Sequence, residues 1–247
     1  MSRSDPSGPR DDNPRRRLAD VLTPAMEDYL KTIYKLQGDS DRATTIAIAQ
    51  RMGISPASVT NMLRKLGDLG LIEYRPYQGA RLTPVGRRIA LEIIRHHRLL
   101  ELYLTEHIGF SWDQVDAEAE QLEHVISEEF EERIDRMLGH PRIDPHGAPI
   151  PTPEGHISKT RYLPLSDVER HGAVVVRRVS DRNAEALRRL GQMGLFPGVR
   201  LLIRERDIGG FQIQVEGEDR VQFLPLELAH YVYVEPASRR VEPPSEA

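Results

Sequence analysis

The hydrophobic pattern changes its period once along the chain, and this change limits the fold more than any other feature. Up to about residue 138, the apolar residues recur at the spacing of amphipathic helices. From Gly172 onwards, short runs rich in valine, isoleucine, leucine and tyrosine are separated by glycine-containing turns, which is typical of strands. The sequence therefore predicts an α+β protein, with a helical front, a small β-rich domain behind it and no internal repeat.

Length and composition favour a cytoplasmic protein of two or three domains. A chain of 247 residues is long for one domain. It has no apolar run of about 18 residues and no apolar leader near Met1, so we expect neither a membrane span nor a secretory signal. The absence of cysteine excludes disulfides, cysteine-ligated zinc and a cysteine nucleophile. Residues 1–17 and 237–247 are polar, and we expect disordered tails there.

Residues 18–90 follow the order of a winged helix-turn-helix domain. Three predicted helices begin near Pro24, Thr45 and Ala57, and a Gly-Ile-Ser-Pro turn separates the last two. Two short strands around a Pro-Tyr-Gln-Gly turn then form the wing. Small polar side chains at the start of the third helix can enter a major groove, while nearby arginines can reach phosphates. The predicted DNA contacts are Ser55, Ala57, Ser58, Thr60, Asn61, Arg64, Arg75 and Arg81.

Charge is distributed unevenly along the chain. The first 90 residues hold 15 Lys and Arg against 10 Asp and Glu, a net charge of +5. Residues 113–137 hold 2 arginines against 10 Asp and Glu, a net charge of −8. A basic front followed by an acidic middle indicates a polyanion partner for the first part and a cation site in the second.

Within the acidic stretch, the segment Asp116–His124 carries the clearest metal-binding pattern. If the segment is one helix, Glu120, Glu123 and His124 share a face, because residues three and four apart are neighbours on a helix. Carboxylates and imidazole form a hard set of ligands that suits manganese, iron or zinc. Other predicted helices carry three further candidate ligands, Asp28, His97 and Glu101.

The rest of the chain completes the predicted organisation. Residues 91–139 form a helical metal-binding and dimerisation domain, since their helices carry more apolar residues than one copy can cover. Residues 140–171 are rich in Pro and Gly and aperiodic, which predicts a linker with surface histidines at 140, 146 and 156. Residues 172–236 contain five predicted strands and one helix, which indicates a small SH3-like barrel.

Together these segments resemble the diphtheria-toxin-repressor family of metal-dependent transcriptional regulators, and within it the manganese-responsive branch. The resemblance covers nearly the whole chain from Thr23 to Glu235, and its matching stretches are Met26–Tyr34, Ser55–Leu66, Arg95–Arg98, Glu120–His124 and Asp144–Pro151. The resemblance implies a metal-activated homodimer that binds a palindromic DNA operator and represses metal-uptake genes. Mn²⁺ is the implied ion, with Fe²⁺ as the alternative within the same family.

The resemblance also implies which side chains hold the ion. The primary site would consist of Asp28, Glu120, Glu123 and His124, and His97, Glu101 and Asp116 would either complete it or form a second site beside it. The iron-responsive branch has methionine and cysteine at the positions of Asp28 and Glu120, which favours manganese here. Lys31 stands where manganese regulators often have a further glutamate, which leaves open whether one or two ions bind. The barrel positions that could add ligands carry Asn183 and Ala186, which leaves open whether the barrel donates a ligand.

Two other classes of function remain open at this stage. Helices with carboxylates and histidines also build di-iron oxidases, which need two helical Glu-x-x-His pairs. The chain has one sequence of this kind, Glu227–His230, and it lies in the predicted barrel. The second alternative is a DNA-architectural protein that needs no metal. Consumption of dioxygen in the presence of iron would identify the first, and absence of heat on metal titration would identify the second.

Overall fold

The computed structural model describes residues 13–18, 20–38, 41–169 and 171–237, which form two compact units. Unit 1 comprises the chain up to His96 with the short segments 123–125 and 151–156. Unit 2 comprises residues 97–122, 126–150 and 157 onwards. Of the predicted disordered tails, residues 1–12 and 238–247 lie outside the described residues. No helix of the described chain is long and apolar enough to cross a membrane.

Unit 1 is a helical bundle with a two-stranded wing. Its elements are α1 (Pro14–Arg17), α2 (Pro24–Leu36), α3 (Thr45–Met52), α4 (Pro56–Asp68), β1 (Ile72–Arg75), β2 (Gly79–Leu82) and the first part of α5 (Pro84–Tyr103). Helices α2, α3 and α4 are capped by Thr23, Thr44 and Ser55. The hydroxyl oxygens of these residues accept hydrogen bonds from backbone N–H groups three residues on. These capping residues explain why the predicted helix starts lie within one or two residues of the observed ones.

The arrangement of α3, α4 and the wing confirms the predicted winged helix-turn-helix. Helix α4 buries Val59, Leu63 and Leu66 against the core, so its polar residues face outwards. Strands β1 and β2 pair antiparallel. Gly79 has a φ of +92°, and a Cβ atom there would lie 2.3 Å from the carbonyl oxygen of Ala43. Glycine is therefore required at the point where the wing meets the segment before α3.

The segment before α2 departs from the predicted disorder. Residues Pro14–Arg17 form one helical turn, and the Asn13 side chain accepts a hydrogen bond from the backbone N–H of Arg15 at 2.9 Å. Leu18 packs against the core of unit 1. Three consecutive arginines give this segment the composition of a solvated tail, and its one apolar anchor is too little to show as a pattern.

The helical part of unit 2 contains the end of α5, a π-helical turn at Leu104–Ile108, α6 (Val115–Leu122) and α7 (Glu128–Met137). The prediction of one helix through His124 is wrong, because α6 ends at Leu122 and residues 123–125 form a turn. Within unit 1, the carbonyl of Glu123 lies 3.0 Å from Nδ1 of His96, and the carbonyl of His124 accepts a hydrogen bond from Arg15. The two carbonyls therefore contact side chains instead of the backbone N–H groups of a further helical turn.

The C-terminal part of unit 2 is a six-stranded antiparallel sheet with two helices. Its elements are β3 (Leu163–Pro164), β4 (Gly172–Val179), α8 (Ala184–Gln192), β5 (Arg200–Arg206), β6 (Gly210–Val215), β7 (Val221–Pro225), α9 (Leu226–Ala229) and β8 (Val232–Pro236). The strand order is β3-β8-β4-β5-β6-β7, and the register shifts within β4 and β5 bend the sheet. The predicted α+β class with a C-terminal SH3-like domain is confirmed. Strand β3 adds a sixth strand from within the predicted linker.

Residues 144–150 of the predicted linker are mostly buried. A bridge joins Ile143 to Pro149, and Asp144, His146 and Ile150 are buried in unit 2. The backbone N–H of Val179 in β4 donates to the carbonyl of His146 at 2.8 Å, which ties this segment to the SH3-like sheet. The prediction of a surface histidine at 146 is therefore wrong. The segment has no period because its contacts are made to distant parts of the chain.

Candidate metal and DNA sites

Unit 1 brings together three of the predicted ligands of the primary metal site. Asp28 lies in the second turn of α2, and Glu123 and His124 lie in the turn after α6. Nε2 of His124 is 3.0 Å from Oδ1 of Asp28 and 3.3 Å from Oε1 of Glu123. The candidate ligand atoms of these three residues all lie within 4.8 Å of one another. Glu123 is fully buried, whereas a third of the Asp28 side chain is exposed, so the site opens on the side of Asp28.

The acidic surroundings of His124 keep its imidazole protonated in the absence of metal. Burial alone would lower the pKa of His124, but hydrogen bonds to Asp28 and Glu27 and the negative charge of Glu123 raise it to about 9. Its two ring nitrogens then donate to two carboxylates, with Nδ1 at 2.6 Å from Oε2 of Glu27. An ion that binds Nε2 of this residue must displace a proton.

Lys31 contributes a positive charge to the same site. Its ammonium group donates a hydrogen bond to Oε1 of Glu123 and lies 4.0 Å from Oδ1 of Asp28. All but a few percent of the Lys31 side chain is buried. This ammonium neutralises part of the carboxylate charge that a second cation would need for binding. Residue 31, which the sequence analysis relates to the number of bound ions, therefore lies at the site.

Unit 2 assembles the other predicted ligands around His97. Its Nε2 is 3.4 Å from Oε1 of Glu101 and 3.2 Å from Oδ1 of Asp116, and its Nδ1 is 3.7 Å from Oε2 of Glu120. Glu101 follows His97 by one turn of α5, and the other two carboxylates come from α6. Glu120, which the sequence assigns to the primary site, thus lies beside His97 within unit 2 and is about half exposed.

A further cluster next to Glu101 was missed by the sequence reasoning. Oε1 of Glu101 lies 3.5 Å from Nδ1 of His146, whose Nε2 is 2.7 Å from the backbone carbonyl of Trp112. Asp144 completes a buried group of three possible ligands with Glu101 and His146. Burial and the charge of Glu101 raise the pKa of Asp144 to about 6, although Arg98 and His146 lower it. The signal in the sequence was the pair Asp144-x-His146, inside a segment that looked like a linker.

Buried polar atoms without hydrogen bonds indicate that the cluster of Glu101, Asp144 and His146 fits a cation. Both carboxylate oxygens of Glu101 and Nδ1 of His146 are buried and make no hydrogen bond to any residue of the described chain. Buried polar atoms in native proteins almost always have a partner, so such a group of acceptors indicates a bound ion or water. Carboxylates and neutral imidazole suit manganese, iron or zinc. The residues present therefore fit a metal that the family resemblance implies.

The predicted DNA-binding residues lie on α4 and on the wing of unit 1, and most of them are exposed. All of those at the start of α4 are exposed except Thr60, whose hydroxyl donates to the carbonyl of Pro56 at 2.9 Å. Asn61 and Arg64 follow on the same helix and are exposed. On the wing, Arg75 is exposed, but the guanidinium of Arg81 is 2.9 Å from Oε2 of Glu73. Arg81 must leave this ion pair, or share it, to contact a phosphate.

Comparison with protein families assigns a known domain to each part of the chain. Residues 21–80 match the N-terminal DNA-binding domain of iron-dependent repressors. Residues 83–152 match the metal-binding and dimerisation domain of the same repressors. Residues 163–236 match the FeoA domain.

Individual relatives extend this similarity over nearly the full length. The iron-dependent repressor IdeR of Mycobacterium bovis is 32% identical over 226 residues, which are 87% of this chain and 98% of that protein. A solved manganese-dependent transcriptional repressor in complex with manganese is 33% identical with a TM-score of 0.79, and the match covers 86% of this chain and all of that one. The manganese regulator SloR is 34% identical with a TM-score of 0.69, over 87% of this chain and all of that one.

These relatives are repressors and regulators, which confirms the prediction that the chain is not an enzyme. Both iron-dependent and manganese-dependent proteins are among them, so the comparisons identify a metal-dependent repressor without separating the two metals. The winged helix-turn-helix falls largely within the matched DNA-binding domain, and the C-terminal SH3-like sheet falls within the matched FeoA domain. The chain belongs to the diphtheria-toxin-repressor family of metal-dependent, DNA-binding transcriptional repressors.

Proposed function

We propose that this protein is a manganese-activated repressor of metal-uptake genes, which binds a palindromic operator as a homodimer in the cytoplasm. The observation that carries the proposal is the cluster of Asp28, Glu123 and His124, in which two of the three side chains are hard carboxylates. In functional terms, residues 18–90 would bind DNA, 91–139 would bind metal and dimerise, and 172–236 would form the SH3-like domain. The resemblance assigns Glu120 as a further ligand of the primary site.

We infer that the cluster of Asp28, Glu123 and His124 in unit 1 and the cluster around Glu101 in unit 2 bind two separate ions. Lys31 already supplies one positive charge beside Glu123, which favours a single Mn²⁺ at the cluster in unit 1. In unit 2, both carboxylate oxygens of Glu101 lack a hydrogen bond to the described residues. Glu101 could therefore bind an ion together with His97 and Asp116, or together with Asp144 and His146. In both clusters a bound ion would add positive charge beside buried carboxylates.

The chain's own residues explain how metal and DNA binding can be coupled. Asp28 belongs to α2, which packs in the same core as the recognition helix α4. The carboxylate therefore connects the ligand cluster to the element that reads DNA. Thermodynamic linkage then requires DNA to raise the affinity for Mn²⁺ by the factor by which Mn²⁺ raises the affinity for DNA.

Base reading and phosphate contact can be separated by two substitutions. Asn61→Ala should cost roughly 1–3 kcal/mol on the preferred sequence and relax the preference for one base pair, since an exposed amide on α4 can read an adenine edge. Arg81→Ala should weaken binding to all sequences alike and reduce the salt slope by about one. Binding to a duplex pool and to single duplexes at several salt concentrations measures both effects.

The exposed Arg133 on α7, paired with Glu129 at 2.7 Å, provides the matched control for loss of one positive charge. Arg133→Ala should change neither sequence preference nor salt slope. Equal and sequence-independent losses from Asn61→Ala and Arg81→Ala would contradict the division of roles between helix and wing.

Metal preference should follow the softness of the ligand on α2. Asp28→Met replaces a carboxylate with a thioether, which suits iron, cobalt or nickel better than manganese. DNA binding stimulated by Mn²⁺ should therefore fall, while stimulation by Fe²⁺ or Co²⁺ is kept. The measurement is DNA affinity against the free concentration of each metal, under anaerobic conditions for Fe²⁺. A variant that responds to manganese as well as the parent does would remove the main support for manganese over iron.

Exposed apolar side chains in unit 2 support the proposed dimer. Ile108, Phe130 and Met137 are each at least 42% exposed, although they belong to the helical part that matches a dimerisation domain. Exposed apolar groups of this kind mark contact surfaces. Light scattering should give twice the 28.1 kDa of one chain at micromolar concentration. A mass of one chain with bound Mn²⁺ would contradict the dimer.

A further inference from the structure

We propose that Arg15, in the short helix α1, is a positioning residue for the metal ligand His124 and acts on it through Glu27. The inference rests on the proposed metal site and adds a residue to it. Arg15 lies outside every ligand pattern found in the sequence, in a segment predicted to be disordered. Its side chain is nevertheless only 16% exposed and points into unit 1.

The guanidinium of Arg15 makes a two-pronged contact with Glu27. Its Nε donates to Oε1 at 2.6 Å, and one terminal nitrogen donates to Oε2 at 3.4 Å. That same terminal nitrogen donates to the backbone carbonyl of His124 at 3.2 Å. The other terminal nitrogen is 3.6 Å from Oε1 of Glu92. The planar fork of arginine can hold these acceptors together, whereas a lysine ammonium cannot reproduce that geometry.

Glu27 passes this constraint to the imidazole. Its Oε2 lies 2.6 Å from Nδ1 of His124, and the Glu27 side chain is almost completely buried. A carboxylate bonded to one ring nitrogen of a metal-binding histidine fixes both the ring orientation and the proton position. With Nδ1 held by Glu27, Nε2 faces Asp28 and Glu123, the other two residues of the cluster.

Arg15 is thus needed for Glu27 to perform this task. Without the guanidinium, Glu27 would be a buried carboxylate with the His124 imidazole as its remaining partner in the contacts described above. Buried charges that lose their partner change protonation or turn towards solvent. Either response would release the His124 ring and its backbone carbonyl from their present positions.

Binding of Mn²⁺ alone to the full-length protein, measured by calorimetry, tests the role of Arg15. Arg15→Gln should weaken the affinity about tenfold, and Glu27→Gln should weaken it about 10- to 100-fold, the usual effect of losing an outer partner of a metal ligand. The double variant should be no weaker than Glu27→Gln, because both substitutions break one chain of contacts. Arg17→Gln, on the same helix but with an exposed side chain, is the control and should bind as the parent does.

Two further readouts distinguish positioning from a general effect on folding. Arg15→Lys keeps the charge without the fork and should bind Mn²⁺ more weakly than the parent, but more tightly than Arg15→Gln. In the metal-free protein, the nuclear magnetic resonance signal of the His124 Nδ1 proton should shift in Arg15→Gln and stay unchanged in Arg17→Gln. If Arg15→Gln does not fold, the Mn²⁺ affinity and the His124 Nδ1 proton signal of Arg15→Lys, each compared with Arg17→Gln, decide the question.

The inference is overturned if Arg15→Gln binds Mn²⁺ as Arg17→Gln does. It is also overturned if the double variant loses the product of the two single factors, since Arg15 would then act independently of Glu27. Failure of the parent protein to bind Mn²⁺ would instead contradict the proposed function itself. The two failures are therefore separate.

Discussion

Asp28→Ala should abolish the stimulation of DNA binding by metal while leaving the fold intact. The substitution removes one of the three clustered ligands and the carboxylate that connects the cluster to α2. We expect a loss of Mn²⁺ affinity larger than the roughly 10- to 100-fold that follows from losing an outer partner of a metal ligand. Because a third of the Asp28 side chain is exposed, its removal should change stability by only about 1 kcal/mol.

Asp20→Ala is the matched control, since it removes an exposed carboxylate from the same unit. DNA affinity with and without Mn²⁺ should be unchanged in that variant. Thermal unfolding of both variants without metal should resemble that of the parent. Undiminished stimulation in Asp28→Ala would place the connection between metal and DNA at other residues.

Binding of Mn²⁺ should strengthen steeply with pH up to about 9. The pKa of His124 is raised to about 9, so the imidazole carries a proton over most of the range below that value and must lose it to bind metal. Below pH 9 the affinity should therefore rise about tenfold for each pH unit, and above pH 9 this contribution should level off. From pH 7 to pH 9 the expected gain from this residue is about 50-fold, because half of the imidazole still carries its proton at pH 9.

Two measurements check this dependence. Calorimetry at fixed pH in buffers of different ionisation enthalpy should show the release of about one proton for the ion bound in unit 1. Nuclear magnetic resonance of the metal-free protein should show that the His124 ring titrates near 9.

Asp28→Asn should lower the pKa of His124, since the hydrogen bond to Asp28 is the largest of the effects that raise it. His140→Gln, which removes an exposed histidine bonded to Asp135, should leave the pH dependence unchanged. An affinity that does not vary between pH 7 and 9 would contradict the assignment of His124 as a ligand.

The parts of the site that the sequence predicts are those encoded by short spacing. Glu123 and His124 are adjacent in the chain, and Asp28 lies near the cap of a helix, so all three could be recognised before their contacts were known. The same spacing gave the wrong local structure, since α6 ends at Leu122. The carbonyls of Glu123 and His124 contact side chains from distant segments. Helical periodicity cannot predict such tertiary contacts.

The residues that sequence reasoning missed all depend on contacts between distant segments. Arg15 is followed by 2 more arginines and resembles a solvated tail until Glu27 and the His124 carbonyl are placed beside it. His146 lies in a stretch rich in Pro and Gly, and its burial depends on Trp112 and on β4 of the SH3-like sheet. Hydrophobic period predicts elements well, but it carries no information on which irregular segment an element will cover.

Activation by metal is tested by DNA affinity as a function of free Mn²⁺, combined with Mn²⁺ affinity with and without DNA. Duplexes selected from a random pool in the presence of Mn²⁺ provide the DNA, and a chelator provides the metal-free state. Mn²⁺ should raise DNA affinity, and DNA should raise Mn²⁺ affinity by the same factor. Equal DNA affinity with the chelator and with saturating Mn²⁺, Fe²⁺ or Zn²⁺ would contradict metal activation.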